Sequence, residues 1–134
     1  MTKQLKYQDI TQKIIGASFE VLKFLGNACL TARQGFQACL PKSRTACRQE
    51  VIYQRALAWE FTQAGLSYAR EIEQAIFYKQ LGKPIGTRRA DFFVEEKVLV
   101  EIKAIKELEH VHIAPVLNYL KAYRLDVALL INFG

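Results

Sequence analysis

Residues 89–105, RADFFVEEKVLVEIKAI, decide the fold because they contain two apolar runs joined by a short charged segment. Period-two alternation on both sides of Glu95-Glu96-Lys97 predicts a β-hairpin. Each run also carries polar groups that a buried strand does not favour, namely Asp91 in the first run and Glu101 with Lys103 in the second. Core packing alone does not account for these three side chains.

The register of this hairpin explains the polar residues. A loop centred on Glu96 places Phe93 opposite Leu99 and Asp91 opposite Glu101, and strand alternation puts both carboxylates on one face together with the lysine. Residues directly opposite each other have Cβ atoms roughly 4.5–5.5 Å apart. Two carboxylates at that separation repel each other, and burial beside apolar side chains adds to the cost. A one-residue slip would separate them across the sheet.

A divalent cation between the two carboxylates would remove the repulsion, since hard cations bind carboxylate oxygens and water. The same trio suits phosphoester hydrolysis, in which a metal acidifies a bound water and a lysine orients that water and holds the phosphate. The alternative is a solvated cluster of Asp, Glu and Lys on the polar face of a surface hairpin. Apolar residues on both faces of VLVEIKAI favour the buried interpretation.

The rest of the chain predicts an α/β domain. Apolar residues at helical spacing predict helices at residues 8–25, 50–64 and 110–124. Strand-like segments occupy residues 66–72 and 73–79, with a turn region at 79–86, and the final run at 127–134 is typical of a strand buried on both faces. We predict one domain over residues 1–134, with a mixed central sheet flanked by helices.

Composition limits the function classes. The chain has 134 residues and a net charge of +6, and no apolar run approaches the roughly 20 residues of a membrane span. Without a signal peptide, the expected location is the cytoplasm, with no membrane partner. The three cysteines, Cys29, Cys39 and Cys47, have no metal-binding spacing and are interpreted as free thiols.

Residues 28–49 differ from the rest of the chain. The segment ACLTARQGFQACLPKSRTACRQ has little aliphatic periodicity and contains Arg33, Lys42, Arg44 and Arg48 with no acidic residue. It therefore supplies most of the net positive charge, which makes overall basicity weak evidence for a nucleic-acid partner. We interpret it as an inserted surface segment.

The pattern Asp91-x(9)-Glu101-x-Lys103, preceded by two helices and followed by a helix and a strand, resembles the PD-(D/E)XK nuclease superfamily. Within it, the chain resembles the GxxExxY group of small bacterial and archaeal proteins. The similarity extends over IIGASFEVLKFLG, the hairpin, and VLNYLKAYRLDVALLINFG. It implies a restriction-endonuclease-like fold, in which Asp91 and Glu101 would bind a metal and Lys103 would be the catalytic lysine.

The motif that names the GxxExxY group is interrupted. Residues 35–37, Gly-Phe-Gln, match its first part and residues 50–53, Glu-Val-Ile-Tyr, its second, with ACLPKSRTACRQ between them. In such folds a helix glutamate often faces the metal from the other side, and Glu50 is the candidate, with Glu20 in reserve. Either residue could instead be a solvated helix charge.

A second departure lies in the last helix. Relatives usually carry glutamine where this chain has Pro115, four residues before Tyr119. Proline offers no side-chain amide and lacks a backbone N–H, which is acceptable only in the first turn of a helix. We interpret the neighbouring His110 and His112 as surface or capping residues.

Two functions remain open from the sequence. The first is a Mg²⁺- or Mn²⁺-dependent nuclease cutting DNA or RNA, with phosphate contacts near the site but no base-reading module. The residues assigned to substrate contact are Arg88, Arg89, Lys106 and Tyr119. The second is a catalytically impaired nuclease fold that acts as a binding or assembly module. The resemblance is also compatible with a homodimer.

Overall fold

The computed structural model describes residues 5–27 and 45–134, with side chains described from residue 50 in the second range. Within these ranges, three helices and four strands occur in the order helix, helix, three strands, helix, strand. They are α1 (Gln8–Leu25), α2 (Thr45–Gln63), β1 (Tyr68–Phe77), β2 (Pro84–Val94), β3 (Val98–Lys103), α3 (His110–Tyr123) and β4 (Val127–Asn132). The strands form one sheet in the order β1-β2-β3-β4. The predicted α/β fold with a mixed central sheet is confirmed.

The hairpin of β2 and β3 has the register expected from its sequence. Phe93 pairs with Leu99 and Val94 pairs with Val98, in antiparallel orientation. The reversal uses left-handed backbone at Glu95 (φ 53°) and Glu96 (φ 54°). Regular pairing covers only three residue pairs and ends at Phe92 with Val100. The two strands therefore separate immediately before Asp91 and Glu101.

Strands β1 and β2 are longer than predicted. The two strand-like segments at residues 66–72 and 73–79 form one strand, which continues through Glu71 although that residue has a positive φ of 51°. β2 begins at Pro84, inside the predicted turn region, because Phe77 pairs with Pro84 after a register shift. The turn residues Pro84 and Gly86 are tolerated in β2 because they lie where the ribbon of β1 and β2 is exposed.

Strand β4 completes the mixed sheet by running parallel to β3, after a crossover through α3. All six of its residues are only half-buried. The expectation of a strand buried on both faces was therefore wrong. The physical reason is position, since β4 lies at the end of the sheet order with β3 as its hydrogen-bonded neighbour.

Helices α1 and α2 pack on one face of the sheet. The shared core contains the buried row of each helix and the residues of β2 and β3 on that face: Ile10, Ile14, Ala17, Val21, Tyr53, Leu57, Phe61, Phe92, Val94, Val98, Val100 and Ile102. Only part of each predicted apolar stripe is used, since Phe19 and Trp59 are 58% and 64% exposed. Gly26 ends α1 with a positive φ of 72° and donates its N–H to Leu22 O.

Tyr53 connects α2 to both ends of this core. Its ring stacks on Phe133, just after β4, with centroids 4.7 Å apart and planes at 18°. Its hydroxyl donates a hydrogen bond of 2.6 Å to the carbonyl oxygen of Gly26 at the end of α1. One buried side chain therefore fixes where α2 lies relative to α1 and to the end of the sheet.

Helix α3 covers the other face. Tyr123 donates its hydroxyl to Ile72 O at 2.7 Å and packs against Phe93. At the start of α3, the backbone N–H of Glu109 donates to His112 Nδ1 at 2.9 Å, which caps the first turn of the helix. The capping interpretation of His112 is therefore confirmed. Pro115 lies in the second turn, not the first, and the helix continues past it without the hydrogen bond that a backbone N–H at that position would make.

Most of the segment interpreted as an insertion, including Cys29, Cys39 and the first part of the interrupted motif, lies outside the described residues. Residues 45–49 belong to α2, which begins five residues before the predicted start at residue 50. Nothing is described of the Cys47 side chain. Within residues 5–27 and 45–134, no helix has the length and apolar character needed to cross a membrane.

Replacing Tyr53 by phenylalanine should lower the free energy of unfolding by about 1 kcal/mol, because the ring contact stays while the hydrogen bond to Gly26 is lost. Urea unfolding measures this change. The matched control is Tyr68→Phe, which removes a hydroxyl from an exposed contact of 3.4 Å with Thr62. A loss no larger than that of the control would show that the Tyr53 hydroxyl does not hold the helices together.

Candidate active site at the divergence of β2 and β3

Asp91 occupies the point at which β2 and β3 separate. Its Oδ2 accepts the backbone N–H of Ile102 at 2.7 Å. In return, the backbone N–H of Asp91 is donated to Oε1 of Glu101 at 3.2 Å. Side-chain oxygens thus replace the main-chain acceptors of a regular ladder. The strands can open here without leaving these backbone donors unsatisfied.

The carboxyl groups of Asp91 and Glu101 are brought together by this exchange. Each carboxyl group accepts a backbone N–H from the other residue's strand, and Glu101 is 9% exposed. Burial, followed by the charge of Asp91, raises the pKa of Glu101 from its ordinary value of 4.5 to about 8. The hydrogen bond from the Asp91 backbone and the charge of Lys103 oppose this rise. Without a cation, the pair is therefore neutralised in part by a proton on Glu101.

Gln54 of α2 is a contact of Asp91 that the sequence analysis missed. Its Nε2 donates to Asp91 Oδ1 at 3.0 Å, and its Oε1 accepts from Arg70 at 2.8 Å. The side chain is 5% exposed, so the amide holds the carboxylate in one orientation. A signal was present, because Gln54 stands three and seven residues before the buried Leu57 and Phe61. A polar residue within such a buried row needs a polar partner.

Lys103 lies beside the carboxyl pair in a cavity between the sheet and α3. The cavity has a volume of about 120 Å³. Its lining combines polar groups from both walls with an apolar surface: Glu101, Lys103, Val111, His112, Pro115, Val116, Tyr119 and Leu130. The backbone of Lys103 is held at the end of β3 by the N–H of Phe133, donated to its carbonyl oxygen at 2.8 Å. A carboxyl and an ammonium therefore share one small cleft.

Of the residues predicted to contact substrate, only Tyr119 lines this cleft. Tyr119 donates its hydroxyl to Arg89 O at 3.1 Å. Burial, and next the charge of Glu101, raise the pKa of Tyr119. The Arg88 guanidinium lies 5.9 Å from the centroid of the Tyr119 ring. Arg89 is engaged by Glu73 at 2.5 Å, and Lys106 is exposed in the loop after β3.

The two candidate helix glutamates, Glu50 and Glu20, lie on different helices and differ in burial. Glu50 is half-buried on α2, one helical turn before Gln54. Glu20 is exposed on α1 and pairs with Lys23 at 3.0 Å. Among the side chains of residues 5–27 and 50–134, no group of three His, Cys, Asp or Glu is arranged to hold a metal ion. The ligand set that is assembled consists of the two strand carboxylates.

That set nevertheless suits one kind of ion. Mg²⁺ is typically bound through one or two carboxylates while it keeps several water ligands. Asp91 and Glu101 supply two hard oxygen donors next to a cavity that is large enough for a few water molecules. The costly proximity of the two acids is the feature that a divalent charge would relieve.

The comparison with protein families agrees with this geometry. The family model described as the PD-(D/E)XK nuclease superfamily matches residues 42–134. The chain belongs to the PD-(D/E)XK nuclease superfamily. The matched region contains Asp91, Glu101 and Lys103. No curated protein and no solved structure matches the chain. The narrower GxxExxY assignment stays a prediction.

The pKa of Glu101 predicts how the stability of the metal-free PD-(D/E)XK domain depends on pH. A folded-state pKa of about 8 means that the folded protein binds this proton more tightly than the unfolded chain. The contribution of Glu101 is therefore greatest below its ordinary pKa and is lost as the pH rises through about 8, by at most about 1.4 kcal/mol per pH unit. Urea unfolding in chelator between about pH 5 and 8.5 measures this slope. Glu101→Gln should flatten it, whereas Glu96→Gln in the exposed turn should not, and equal slopes in all three proteins would contradict the assignment.

Gln54→Leu should lower the free energy of unfolding by about 1–3 kcal/mol, because the half-buried Asp91 carboxyl and the Arg70 guanidinium lose their hydrogen bonds to a buried amide. Gln63→Leu is the matched control, since it makes the same change at an exposed position at the end of α2. Gln54→Glu separates the two contacts, because it keeps an acceptor for Arg70 but places a third carboxylate beside Asp91. Its loss of stability should be recovered on adding Mg²⁺ or Mn²⁺, and equal recovery in wild type and Gln54→Glu would show that residue 54 does not face the ion.

Proposed function

We propose that this protein is a Mg²⁺-dependent nuclease that hydrolyses phosphodiester bonds of DNA or RNA. The observation that carries the proposal is the Asp91–Glu101 carboxyl pair at the opening of β2 and β3, with Glu101 buried, Asp91 half-buried and Lys103 lining the adjoining cleft. Such a pair is costly in a metal-free core and useful beside a divalent ion. Membership of the nuclease superfamily supports the same reaction class.

In this proposal Asp91 and Glu101 hold the ion, with Mn²⁺ as an alternative to Mg²⁺. A bound divalent cation supplies a Lewis acid that polarises a phosphoryl oxygen and acidifies a water molecule. Gln54 keeps the Asp91 carboxylate in its orientation through the 3.0 Å hydrogen bond. Glu101 must release its proton for both oxygens to become ligands, so ion binding strengthens as the pH rises towards about 8.

Lys103 is the proposed catalytic lysine. Lys103 and Glu101 both line the cavity, so the ammonium of Lys103 can orient an attacking water and neutralise charge on the phosphate. The register places Lys103 beside Asn132 of β4, whose side chain bonds both the N–H and the carbonyl oxygen of Ile105. The end of β3 is therefore held rigidly, which keeps the lysine positioned relative to the two acids.

Substrate phosphates would contact Arg88, Lys106 and the Tyr119 hydroxyl at the rim of the cleft. Arg88 already lies against the Tyr119 ring, and Lys106 is exposed close to the end of β3. Arg89 joins this group only if phosphate competes with Glu73 for its guanidinium. Contacts of this type position a nucleic acid without reading its sequence.

In this proposal, a helix glutamate supplies the third protein ligand of the ion. Glu50 is our first candidate because it precedes Gln54 on the same helix, so a rotation or shift of α2 by one turn would exchange their positions near Asp91. Glu20 is the reserve, although it pairs with Lys23 and lies on α1. The placement of Glu50 at the entry of α2 is also what the GxxExxY resemblance implies.

The second candidate function is a nuclease fold that binds a partner without cutting. Pro115 favours it, because the cleft wall at this position offers no amide to the substrate or the carboxylates. The retained Asp91–Glu101 pair opposes it, since a scaffold gains no stability from two buried acids. Measurement of cleavage separates the two functions.

Wild-type protein should cleave plasmid DNA or single-stranded nucleic acid in the presence of Mg²⁺ or Mn²⁺ and stop in chelator. Lys103→Met should reduce the rate by at least about 100-fold, because it removes the water-orienting charge while keeping most of the side-chain volume. Lys13→Met on α1, an exposed lysine outside the site, is the matched control. Cleavage that is equal in wild type and Lys103→Met, or that survives chelation, would reject the enzyme proposal and leave the binding module.

A further inference from the structure

The ribbon of β1 and β2 extends well beyond the rest of the sheet. Within the described residues, β2 pairs with β3 only from Phe92 to Val94, whereas it pairs with β1 back to Pro84. Seven residues separate Pro84 from Asp91, which at about 3.4 Å per residue corresponds to about 24 Å. We call residues 77–87 the hairpin tip. The ribbon leads directly from this tip to the carboxyl pair.

The hairpin tip is exposed along its whole length and rich in large apolar side chains. Phe77, Tyr78, Leu81 and Ile85 are 60%, 55%, 52% and 58% exposed. A two-stranded ribbon is marginally stable in water by itself, and a cluster of exposed apolar groups usually marks a binding surface. The exposed apolar side chains of the hairpin tip therefore indicate that it binds a partner.

Charge indicates the chemistry of that partner. No acidic residue occurs between Glu73 and Asp91, and the hairpin tip carries Lys79 and Lys83. The Lys79 ammonium lies 5.1 Å from the centroid of the Tyr78 ring, so cationic and aromatic surface occupy the same small area. Arg88 continues the positive charge along β2 towards the active-site cleft.

We propose that the hairpin tip is a second nucleic-acid contact, which holds a single-stranded stretch of substrate away from the cleavage site. Phe77 and Tyr78 stack on unpaired bases, while Lys79 and Lys83 contact phosphates. The proposal deepens the proposed nuclease function, on which it rests for the identity of the substrate.

A second copy of the chain is a poorer occupant of this surface. A symmetric contact between two tips would bring Lys79 and Lys83 of each copy together, and the tip has no acidic residue to pair with them. Like charges placed together across an interface cost several kcal/mol. A polyanion neutralises the same lysines and offers flat bases to the aromatic rings.

Binding measured without cleavage tests the proposal. Fluorescence anisotropy in chelator, with labelled oligothymidylate and oligouridylate of about 20 nucleotides, reports affinity independently of activity. The double variant Phe77→Ser with Tyr78→Ser should weaken binding between about 5-fold and 100-fold. The double variant Lys79→Gln with Lys83→Gln should lower the slope of log affinity against log salt by about 1.4.

Two matched controls isolate the tip. Phe24→Ser removes an aromatic ring that is 90% exposed on α1, and Lys13→Gln removes an exposed lysine from the same helix. Neither should change the affinity more than about twofold, a difference of about 0.4 kcal/mol. An oligothymidylate of about two nucleotides is too short to span from the cleft to the tip even when extended, so a strand of that length bound at the cleft should be insensitive to the tip variants.

The outcomes separate this proposal from the nuclease function. Loss of binding in the tip variants supports the nucleic-acid contact even if no cleavage is ever detected. Unchanged affinity and salt slope in both tip variants overturn it even if wild type cuts, as does the absence of any oligonucleotide binding by wild type. A change of sedimentation from dimer to monomer in the serine variant, with oligonucleotide binding unchanged, also overturns it and identifies the tip as an interface between copies. If the serine variant loses its cooperative unfolding, the lysine variant decides the question alone.

Discussion

The proximity of two carboxyl groups in a nearly closed site is the constraint on which the rest of the structure depends. Asp91 and Glu101 exchange hydrogen bonds with the backbone of each other's strand, which allows β2 and β3 to open without unsatisfied donors. Their electrostatic cost is met in the metal-free protein by a proton, as the raised pKa of Glu101 indicates. A divalent cation bound as proposed would compete with this proton for the same oxygens, which would link the stability of the fold to the state of the site.

The surrounding core holds β2 and β3 at the point where they separate. Only three regular pairs join β2 to β3, so the geometry of the hairpin is maintained by what packs on it. On one face Phe61 and Phe92 meet edge to face with centroids 5.0 Å apart. On the other face Tyr123 packs on Phe93 and bonds to β1. The two faces thus hold β2 between two rigid helical layers up to the residue at which it leaves β3.

Much of this could be predicted from the sequence, because the determining signals are local. The hairpin register follows from a turn centred on Glu96 and from strict alternation, so the meeting of Asp91 with Glu101 was accessible without coordinates. The hydrogen bond from Gln54 to Asp91 could not be predicted in this way, because it depends on how α2 is rotated and placed over the sheet. The half-buried state of β4 depends likewise on strand order. Glu71 continues a strand through a positive φ, which no local rule favours.

Pro115 shows how a local substitution acts on the whole site. A glutamine there would offer a donor to carboxylate oxygens, whereas proline offers only apolar surface and removes one helix N–H. The cleft wall around Glu101 then consists largely of Val111, Pro115, Val116 and Leu130. Such a wall disfavours the charged carboxylate, so in the proposed nuclease the stabilisation of negative charge would fall on Lys103 and on the proposed cation. In the proposed nuclease, the proline would therefore make the site more dependent on its cation, because no amide donor at this position shares the stabilisation of the two acids.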